Sequence, residues 1–268
     1  MKDQTQISPS SHVLHGRVAL IYGAGAGLGR AIARAYAREG ASLVLADLNA
    51  EAARETLELA EQSKSGLSLP VDVSDPAASA DAVEQTVRRM GKLHIMVNCA
   101  AICFVDPLLE VTPQRWDKVF SVNTRGAFFA IQSAAKAMIP GHFGRIISIS
   151  TPASRMGFPN FASYAASKAA LDSMTKSAAV ALGEHGITVN TIVPGRMTGG
   201  MIEALERDLQ KISGKSQEQL KEERTKGLPI PRRVEPSEVA EAAVWLASDA
   251  AAYVNAERFN FTGGMELS

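Results

Sequence analysis

Short apolar runs alternate with helical patterns along almost the whole chain, and this alternation restricts the fold more than any other feature. Seven apolar runs bounded by turn residues predict strands, and helix signals fill the segments between them. The predicted strands are Arg17–Tyr22, Ser42–Ala46, Leu67–Val71, His94–Asn98, Arg145–Ser150, Ile187–Val193 and Glu257–Phe261. Because parallel strands need right-handed crossovers, we expect an α/β fold: a doubly wound, seven-stranded parallel sheet with helices on both faces.

The segments between these strands predict the helices. The predicted helical segments are Arg30–Glu39, Glu51–Gln62, Pro76–Met90, the stretch from Thr112 through Asn123 towards Met138, and the segment that carries Tyr164 and Lys168. No linker rich in Pro, Gly or Ser divides the sequence. Residues 16–268 are therefore expected to form a single domain, preceded by a flexible polar extension over residues 1–15.

One long charged segment, Met201–Gly227, lacks a strand pattern. Two helical pieces are expected there, separated at Ser213-Gly214, and Ser216 with Gln219 forms a capping box for the second piece. Because the segment closely follows a strand end, we expect a substrate lid at about residues 197–227. A solvated surface excursion is the alternative.

The composition excludes several classes of partner. Acidic and basic residues balance at 28 each, without a basic patch, which argues against nucleic acid or an anionic membrane surface. The apolar stretches are too short for a membrane span, and the N-terminus lacks the apolar core of a signal peptide, so a cytoplasmic protein is expected. The two cysteines and five histidines have no spacing that would hold a metal ion, and no metal site is predicted.

A glycine-rich turn, Gly23–Gly29, lies between the first predicted strand and the first predicted helix. Glycines let the backbone approach a pyrophosphate, which the helix N-terminus attracts. Asp47 ends the next strand about 20 residues later, where a ribose-binding acid belongs. Its carboxylate would repel a 2′-phosphate, and the nearby Ala26 and Leu48 are uncharged, so NAD is favoured over NADP. The alternative for Asp47 is an ordinary turn residue at a strand end.

Tyr164 and Lys168 are four residues apart on a predicted helix, so their side chains share one face. A phenol has a pKa of about 10, and a neighbouring ammonium favours the phenolate, which would make the pair a usable acid and base. A hydroxyl-rich segment, Ser148–Thr151, lies just upstream. The spacing is common by chance, and the glycine turn and the hydroxyl groups give it weight.

Together these motifs resemble the short-chain dehydrogenase/reductase family, which has a Rossmann-like fold, and the resemblance covers almost the whole chain. In that family Asn123, Thr151, Tyr164 and Lys168 match the catalytic positions. The positions that match cofactor-binding residues are Gly23, Ala26, Gly27, Leu28, Gly29, Asp47, Leu48, Asp72, Val73, Asn98, Ala100, Tyr164, Lys168, Pro194, Gly195 and Met197.

The sequence departs from the family pattern at three positions. Thr151 stands where the family has serine; it keeps the hydroxyl group, whereas the adjacent Ser150 would face the other way on a strand. Gly199 replaces a threonine of the nicotinamide contact, with Thr198 next to it. Tyr22 replaces a threonine that braces the glycine turn, and we expect this change to be structural.

The resemblance implies hydride transfer between nicotinamide and a secondary alcohol or ketone. Tyr164 would take the alcohol proton, Lys168 would lower the phenol pKa and hold the nicotinamide ribose, Thr151 would bind the substrate oxygen, and Asn123 would support a proton relay. A homodimer or homotetramer is implied as well.

The identity of the substrate stays open at this stage. A polyol or sugar alcohol is the first expectation, because the C-terminal part is similar to that of polyol dehydrogenases. A 3-oxoacyl or hydroxy-acid substrate is the alternative within the same family. A catalytically weak NAD-binding regulatory or scaffold protein is the alternative of another class. An epimerase or dehydratase usually needs a larger C-terminal substrate domain.

Overall fold

In a computed structural model, which describes residues 12–60, 66–199 and 201–266, seven parallel strands form one sheet. The strands are β1 Val18–Tyr22, β2 Ser42–Asp47, β3 Leu67–Pro70, β4 Ile95–Asn98, β5 Gly144–Ile149, β6 Ile187–Pro194 and β7 Arg258–Phe261. Their order across the sheet is β3-β2-β1-β4-β5-β6-β7. The predicted seven-stranded, doubly wound parallel sheet is confirmed.

Nine α-helices lie in the part of the chain that the structure describes. They are α1 Gly27–Arg38, α2 Ala50–Leu59, α3 Pro76–Met90, α4 Pro113–Phe120, α5 Ala127–Met138, α6 Ala162–Leu182, α7 Met201–Ser213, α8 Gln217–Thr225 and α9 Pro236–Ala247. Each predicted helical segment is present. α1 begins three residues earlier than predicted, inside the glycine turn, and the predicted end of α2 at Gln62 lies outside the described residues.

The strand order reverses at β1, which pairs with β2 on one side and with β4 on the other. Ile21, for example, stands beside Leu45 in β2 and beside Val97 in β4. The loops after β1 and β4 therefore leave the sheet towards opposite faces and open a crevice at the carboxyl ends of the strands. This topology places the binding site there.

Both faces of the sheet are covered, which explains why the central strands are continuously apolar. All five residues of β1 are buried. Ile21 and Leu43 belong to the core cluster that includes residues of α1 and α9, whereas Leu20 and Met96 belong to the cluster on the other face with residues of α3 and α5. The apolar runs in the sequence are therefore strands buried on two sides, without polar alternation.

The helical stretch predicted from Thr112 towards Met138 is interrupted by a π-helical turn, Ser121–Gly126, between α4 and α5. Gly126 fits at the end of this turn because it has no side chain. A Cβ there would lie 2.4 Å from the carbonyl oxygen of Val73. The wider π turn brings the backbone close to the loop after β3. π turns often occur at functional sites, and this one carries Asn123.

The structure describes part of the predicted N-terminal extension and the whole of the predicted charged segment. Residues 1–11 of the predicted extension lie outside the described part, but His12–His15 form a turn in which Leu14 is completely buried. The segment Met201–Gly227 contains the two predicted helices, α7 and α8, and Ser216 and Gln219 form the predicted capping box.

No helix within residues 12–60, 66–199 and 201–266 has both the length and the apolar character needed to cross a membrane. Within the same ranges, no three His, Cys, Asp or Glu side chains gather in a way that could bind a metal ion.

Candidate active site

The glycine turn after β1 is packed so tightly that side chains would not fit. A Cβ at Gly29 would lie 2.0 Å from the carbonyl oxygen of Gly23, and a Cβ at Gly23 would lie 2.6 Å from the backbone nitrogen of Ala100. Ala26 occupies the N-cap position of α1 and forms no side-chain cap. The first backbone N–H groups of α1 therefore remain available to an anion, as a pyrophosphate site requires.

Asp47 is held directly beside this turn at the end of β2. Its Oδ2 accepts a hydrogen bond from the backbone nitrogen of Gly25 at 2.8 Å, and its Oδ1 accepts one from the backbone nitrogen of Asn49 at 2.9 Å. Leu48 is exposed. The carboxylate is fixed at the mouth of the turn, with one negative charge where the adenosine ribose of a dinucleotide would lie.

A cavity of about 460 Å³ runs from the glycine turn to the side chain of Tyr164. Every residue predicted to bind the cofactor except Asn98 lines it: Gly23, Ala26, Gly27, Leu28, Gly29, Asp47, Leu48, Asp72, Val73, Ala100, Tyr164, Lys168, Pro194, Gly195 and Met197. Most of these residues lie at or just after the ends of β1, β2, β3, β4 and β6, and Tyr164 and Lys168 lie on α6, so the fold assembles them. A hydrogen bond from the Ser74 hydroxyl lowers the pKa of Asp72, which keeps that carboxylate ionised.

Asn98 lies behind the cavity wall. Its side chain is buried, and its Oδ1 accepts a hydrogen bond from the backbone nitrogen of Ala100 at 3.2 Å. Asn98 therefore shapes the turn after β4, on which Ala100 approaches Gly23, and the structure does not bring it to the cavity with the other predicted cofactor residues.

Tyr164 and Lys168 lie on α6, at the end of the cavity away from Asp47. The Lys168 Nζ lies 6.0 Å from the centroid of the Tyr164 ring and donates a hydrogen bond to the carbonyl oxygen of Ile149 at 2.7 Å. Lys168 is almost completely buried. Its ammonium is thus directed to the end of β5, between the sheet and the phenol.

The pKa of Tyr164 lies above its ordinary value, so a lowering by Lys168, as predicted, is not what dominates it. Burial raises the pKa of Tyr164 above its ordinary value, and the nearby Cys103 thiol adds to this, whereas the Thr151 hydroxyl has a smaller, opposite effect. Burial also lowers the pKa of Lys168 to about 8. The low dielectric of the site disfavours both charged forms, so at neutral pH Tyr164 keeps its proton.

Thr151 follows β5, and its hydroxyl is close enough to the Tyr164 phenol to lower the phenol pKa. Its own hydroxyl accepts a 3.3 Å hydrogen bond from the backbone nitrogen of Ala153, which begins a short 3₁₀ turn. The hydroxyl of the adjacent Ser150 is buried and has no hydrogen-bond partner among the described residues. Of the two neighbouring hydroxyl groups, that of Thr151 is the one next to the phenol.

Buried Arg258, on β7, fixes the backbone of Thr151. Its Nη2 donates to the Thr151 carbonyl oxygen at 3.0 Å, while Asp172 and Glu266 bind the other guanidinium nitrogens. The sequence pattern did not predict this support. A lone arginine in the last strand gives no signal of its role.

Asn123 projects from the π turn into the interior, where it is 1% exposed. Its Oδ1 accepts from the backbone nitrogen of Ile102 at 2.9 Å, and its Nδ2 donates to the Ile102 carbonyl oxygen at 2.8 Å and to the Ser167 hydroxyl at 3.1 Å. Asn123 does not line the cavity. Its hydrogen bonds join the loop after β4 to Ser167 on α6, the residue that precedes Lys168.

The other departures from the family pattern have local explanations. The Tyr22 ring is completely buried, and its hydroxyl donates to the carbonyl oxygen of Ser79 at 3.1 Å, so the change from threonine ties β1 to α3. Gly199 has a positive φ of 66°, which favours glycine. The Thr198 hydroxyl donates to Glu235 at 2.6 Å.

The substrate end of the cavity is walled by apolar side chains from several segments. Phe158, Phe161 and Met201 line it, whereas Phe104 packs beneath the guanidinium of Arg115. Two cavity residues that the sequence analysis missed are Arg196, directly after Pro194-Gly195, and Arg224 on α8. In a chain with 28 basic residues, neither arginine stands out without the fold.

The crevice, the glycine turn and the buried tyrosine–lysine pair define a nicotinamide-dependent oxidoreductase. The protein-family model described as enoyl-(acyl carrier protein) reductase matches residues 23–266. The chain belongs to the short-chain dehydrogenase/reductase family and transfers a hydride between nicotinamide and an alcohol or ketone.

Relatives of the chain match it over nearly its full length. It is 36% identical over 256 residues to the sorbitol dehydrogenase of Cereibacter sphaeroides, and the match covers 95% of this chain and 99% of the relative. It is also 36% identical over 257 residues to the galactitol 2-dehydrogenase of Agrobacterium fabrum, with coverage of 95% and 99%. The crystal structure of an NAD⁺-bound xylitol dehydrogenase matches with a TM-score of 0.89 at 28% identity, covering 94% of this chain and 99% of the other.

Proposed function

We propose that this protein is an NAD-dependent dehydrogenase that oxidises a secondary alcohol of a polyhydroxylated substrate. The observation that carries the cofactor preference is the Asp47 carboxylate, fixed by the backbone nitrogen of Gly25 beside the glycine turn. It would accept hydrogen bonds from the ribose hydroxyls of NAD and repel the 2′-phosphate of NADP. The similarity to sorbitol and galactitol dehydrogenases supports the substrate class.

The residues of the site fit a dinucleotide. The glycine turn forms a cradle that a Cβ would fill, and the uncapped N-terminus of α1 opens onto it. Asp47 would hold the adenosine ribose, Asp72 and Val73 the adenine, and Lys168 the nicotinamide ribose. When bound, the oxidised nicotinamide accepts a hydride from the carbinol carbon and brings a positive charge to the site.

Tyr164 is proposed as the acid and base of the reaction. In the direction of ketone reduction, its phenol is protonated at neutral pH and can donate to the carbonyl oxygen. In the direction of alcohol oxidation, its oxygen must accept the alcohol proton, and a positive charge nearby would offset the effect of burial on its pKa.

Thr151 and Asn123 are proposed to assist Tyr164 in different ways. The Thr151 hydroxyl would hydrogen-bond the substrate oxygen and stabilise the charge that develops on it. Asn123 would hold the loop after β4 against α6 and support proton exchange behind Lys168 through its bond to Ser167. Residues of α7 and α8 that line the cavity would act as a lid over the substrate.

Cofactor competition tests the proposal. We expect the chain to oxidise polyols with NAD⁺ at a kcat/KM at least roughly tenfold above that with NADP⁺, since tenfold corresponds to about 1.4 kcal/mol. Asp47→Asn keeps a side-chain oxygen for Gly25 but removes the charge, and it should narrow this ratio. Asp81→Asn, on the exposed face of α3, is the matched control. Equal use of both cofactors by the unaltered chain would contradict the role of Asp47.

The assembly is proposed to be a homodimer or homotetramer in the cytoplasm. Phe128 on α5 and Val180 on α6 are exposed apolar side chains, 44% and 82% accessible, and could pack against another subunit. Sedimentation at micromolar concentration tests the assembly, and a monomer at that concentration would contradict it.

A further inference from the structure

A cluster of three arginines surrounds a single buried carboxylate next to the substrate end of the cavity. Glu206, on α7, is only 1% exposed and is paired with the guanidinium of Arg233. The Arg224 Nε lies 4.0 Å from the Glu206 Oε1, and the charges of Arg224, Arg233 and Glu206 all act on Arg196. Among the described residues, Glu206 is the only carboxylate within 4.0 Å of any of these guanidinium groups, so three positive charges face one negative charge.

Arg196 is the member of this cluster that lacks a structural reason for its charge. Its side chain forms no hydrogen bond with any described residue, and its Nε is buried and unpartnered. The guanidinium carbon lies 5.1 Å from the centroid of the Phe158 ring. Burial, followed by repulsion from Arg224 and Arg233, lowers the pKa of Arg196 to about 10. A buried donor without an acceptor costs stability unless a ligand supplies one.

Arg196 and Arg224 line the same cavity as Tyr164. Arg196 and Arg224 both border it, beside the apolar side chains of Met201 and Leu205. The Cys103 thiol lies close enough to Lys168 and to Arg224 for both positive charges to act on its pKa. Because Tyr164, Arg196 and Arg224 line the same cavity, a single substrate could contact the phenol and both guanidinium groups.

A purely structural role explains Arg233 and part of Arg224, because both stabilise the buried Glu206 carboxylate. A structural role does not explain Arg196, because Glu206 acts on it through its charge and forms no hydrogen bond with it. The adenosine end of the cofactor is an unsuitable occupant, since Asp47 and the glycine turn lie at the other end of the cavity. An anionic group on the substrate would supply the missing acceptor, and guanidinium groups bind carboxylate and phosphate well.

We propose that Arg196 and Arg224 form an anion subsite that binds a carboxylate or phosphate group of the substrate. The substrate is then a hydroxy acid or a phosphorylated alcohol, and a neutral polyol occupies the site without filling this subsite. The inference deepens the proposed alcohol oxidation and rests on it for the reacting end of the substrate.

The first test measures binding without turnover. The melting temperature of the full chain, saturated with NADH, is recorded with acetate, lactate, gluconate, inorganic phosphate and sorbitol 6-phosphate, with sodium chloride to match ionic strength and sorbitol as the neutral probe. We expect at least one anion to raise the melting temperature, and Arg196→Gln and Arg224→Gln to abolish the rise. Arg207→Gln, an exposed arginine on α7, is the matched control and should retain it.

The second test compares kcat/KM for NAD⁺-linked oxidation of gluconate, sorbitol 6-phosphate and sorbitol. The carboxylate and phosphate arms distinguish the two sources of the anionic group. One lost charge-assisted hydrogen bond corresponds to a loss of roughly 10- to 100-fold. We expect Arg196→Gln and Arg224→Gln to reduce the ratio of anionic to neutral substrate by that factor, whereas Arg207→Gln leaves the ratio unchanged.

Failure of the subsite and failure of the proposed function give different results. If sorbitol is oxidised well and no anion binds in an arginine-dependent way, the subsite is refuted and the dehydrogenase proposal stands. If an anion stabilises the NADH-bound chain through Arg196 but no alcohol is oxidised, the subsite stands and the proposed function is refuted. A rise in the KM for NAD⁺ alone in both variants would assign the arginines to the cofactor and overturn the subsite.

Discussion

Replacing Lys168 by methionine should make the protein without cofactor more stable at neutral pH, although Lys168 is proposed to hold the nicotinamide ribose. Burial lowers the pKa of Lys168 from 10.5 to about 8. At 1.36 kcal/mol per pKa unit, the folded state loses about 3 kcal/mol by holding the ammonium there. Methionine leaves the carbonyl oxygen of Ile149 without its donor, which costs about 1 kcal/mol. The expected net gain in the free energy of unfolding is about 2 kcal/mol.

The gain should depend on pH in a defined direction. Between pH 8 and 10.5 the unfolded chain holds the Lys168 proton while the folded chain has released it, so the free energy of unfolding of the unaltered protein rises with pH in this window. Below pH 8 both states are charged and the full cost is present; above pH 10.5 both are neutral and it is gone. Cys99 and Cys103, the nearest thiols, have pKa values raised to about 12 by burial and stay neutral in this range. The Asp172 carboxylate favours the charged form of Lys168, but this effect does not outweigh burial.

Urea denaturation without cofactor, at equal protein concentration and at pH 7 and pH 10, measures this difference. The stability advantage of Lys168→Met should be present at pH 7 and mostly lost at pH 10. Lys176→Met, on the exposed face of the same helix, is the control and should show neither effect. A Lys168→Met protein that is less stable than the unaltered chain at pH 7, or an advantage that does not change with pH, would refute the reasoning.

Two further predictions concern Thr151 and Tyr22. Thr151→Ala should reduce kcat by roughly 100- to 1,000-fold, as the loss of an oxyanion donor does. The kcat of Thr151→Ser should stay within roughly tenfold of that of the unaltered chain, because serine keeps the hydroxyl. Equal losses of kcat in steady-state assays would remove Thr151 from the mechanism. Tyr22→Phe should lower the free energy of unfolding by about 1 kcal/mol through the lost bond to Ser79, with kcat/KM unchanged; a large kinetic effect in the same assays would show that Tyr22 is more than a structural brace.

Patterns that depend on the local chain predicted most of the fold. The apolar run at Val18–Tyr22 indicated a buried strand, and its position before the glycine turn indicated the crevice, because the parallel topology leaves few alternatives. The π turn that carries Asn123 was not predicted, since it arises from the close approach of Gly126 to the loop after β3. That contact joins residues far apart in the sequence.

The parts of the site that the sequence could not predict depend on burial and on distant neighbours. Spacing placed Tyr164 and Lys168 on one helix face, but it could not show that burial raises the pKa of Tyr164, because burial depends on the packing of distant segments. Arg196 and Arg224 are 28 positions apart in the sequence, and only the fold brings them to one cavity. The support of Thr151 by Arg258 is likewise a long-range contact, over 107 residues.

The role of Tyr164 in NAD-linked alcohol oxidation is the central claim, and the most direct test is the rate of NADH formation by Tyr164→Phe beside the unaltered chain, with NADH binding measured on both. The phenyl ring keeps the buried shape but has no group to exchange the proton. We predict that kcat/KM falls by roughly 100- to 10,000-fold, the contribution of a positioned acid or base, while the Kd for NADH changes little. Turnover by Tyr164→Phe close to that of the unaltered chain, with NADH bound equally well by both, would contradict the account.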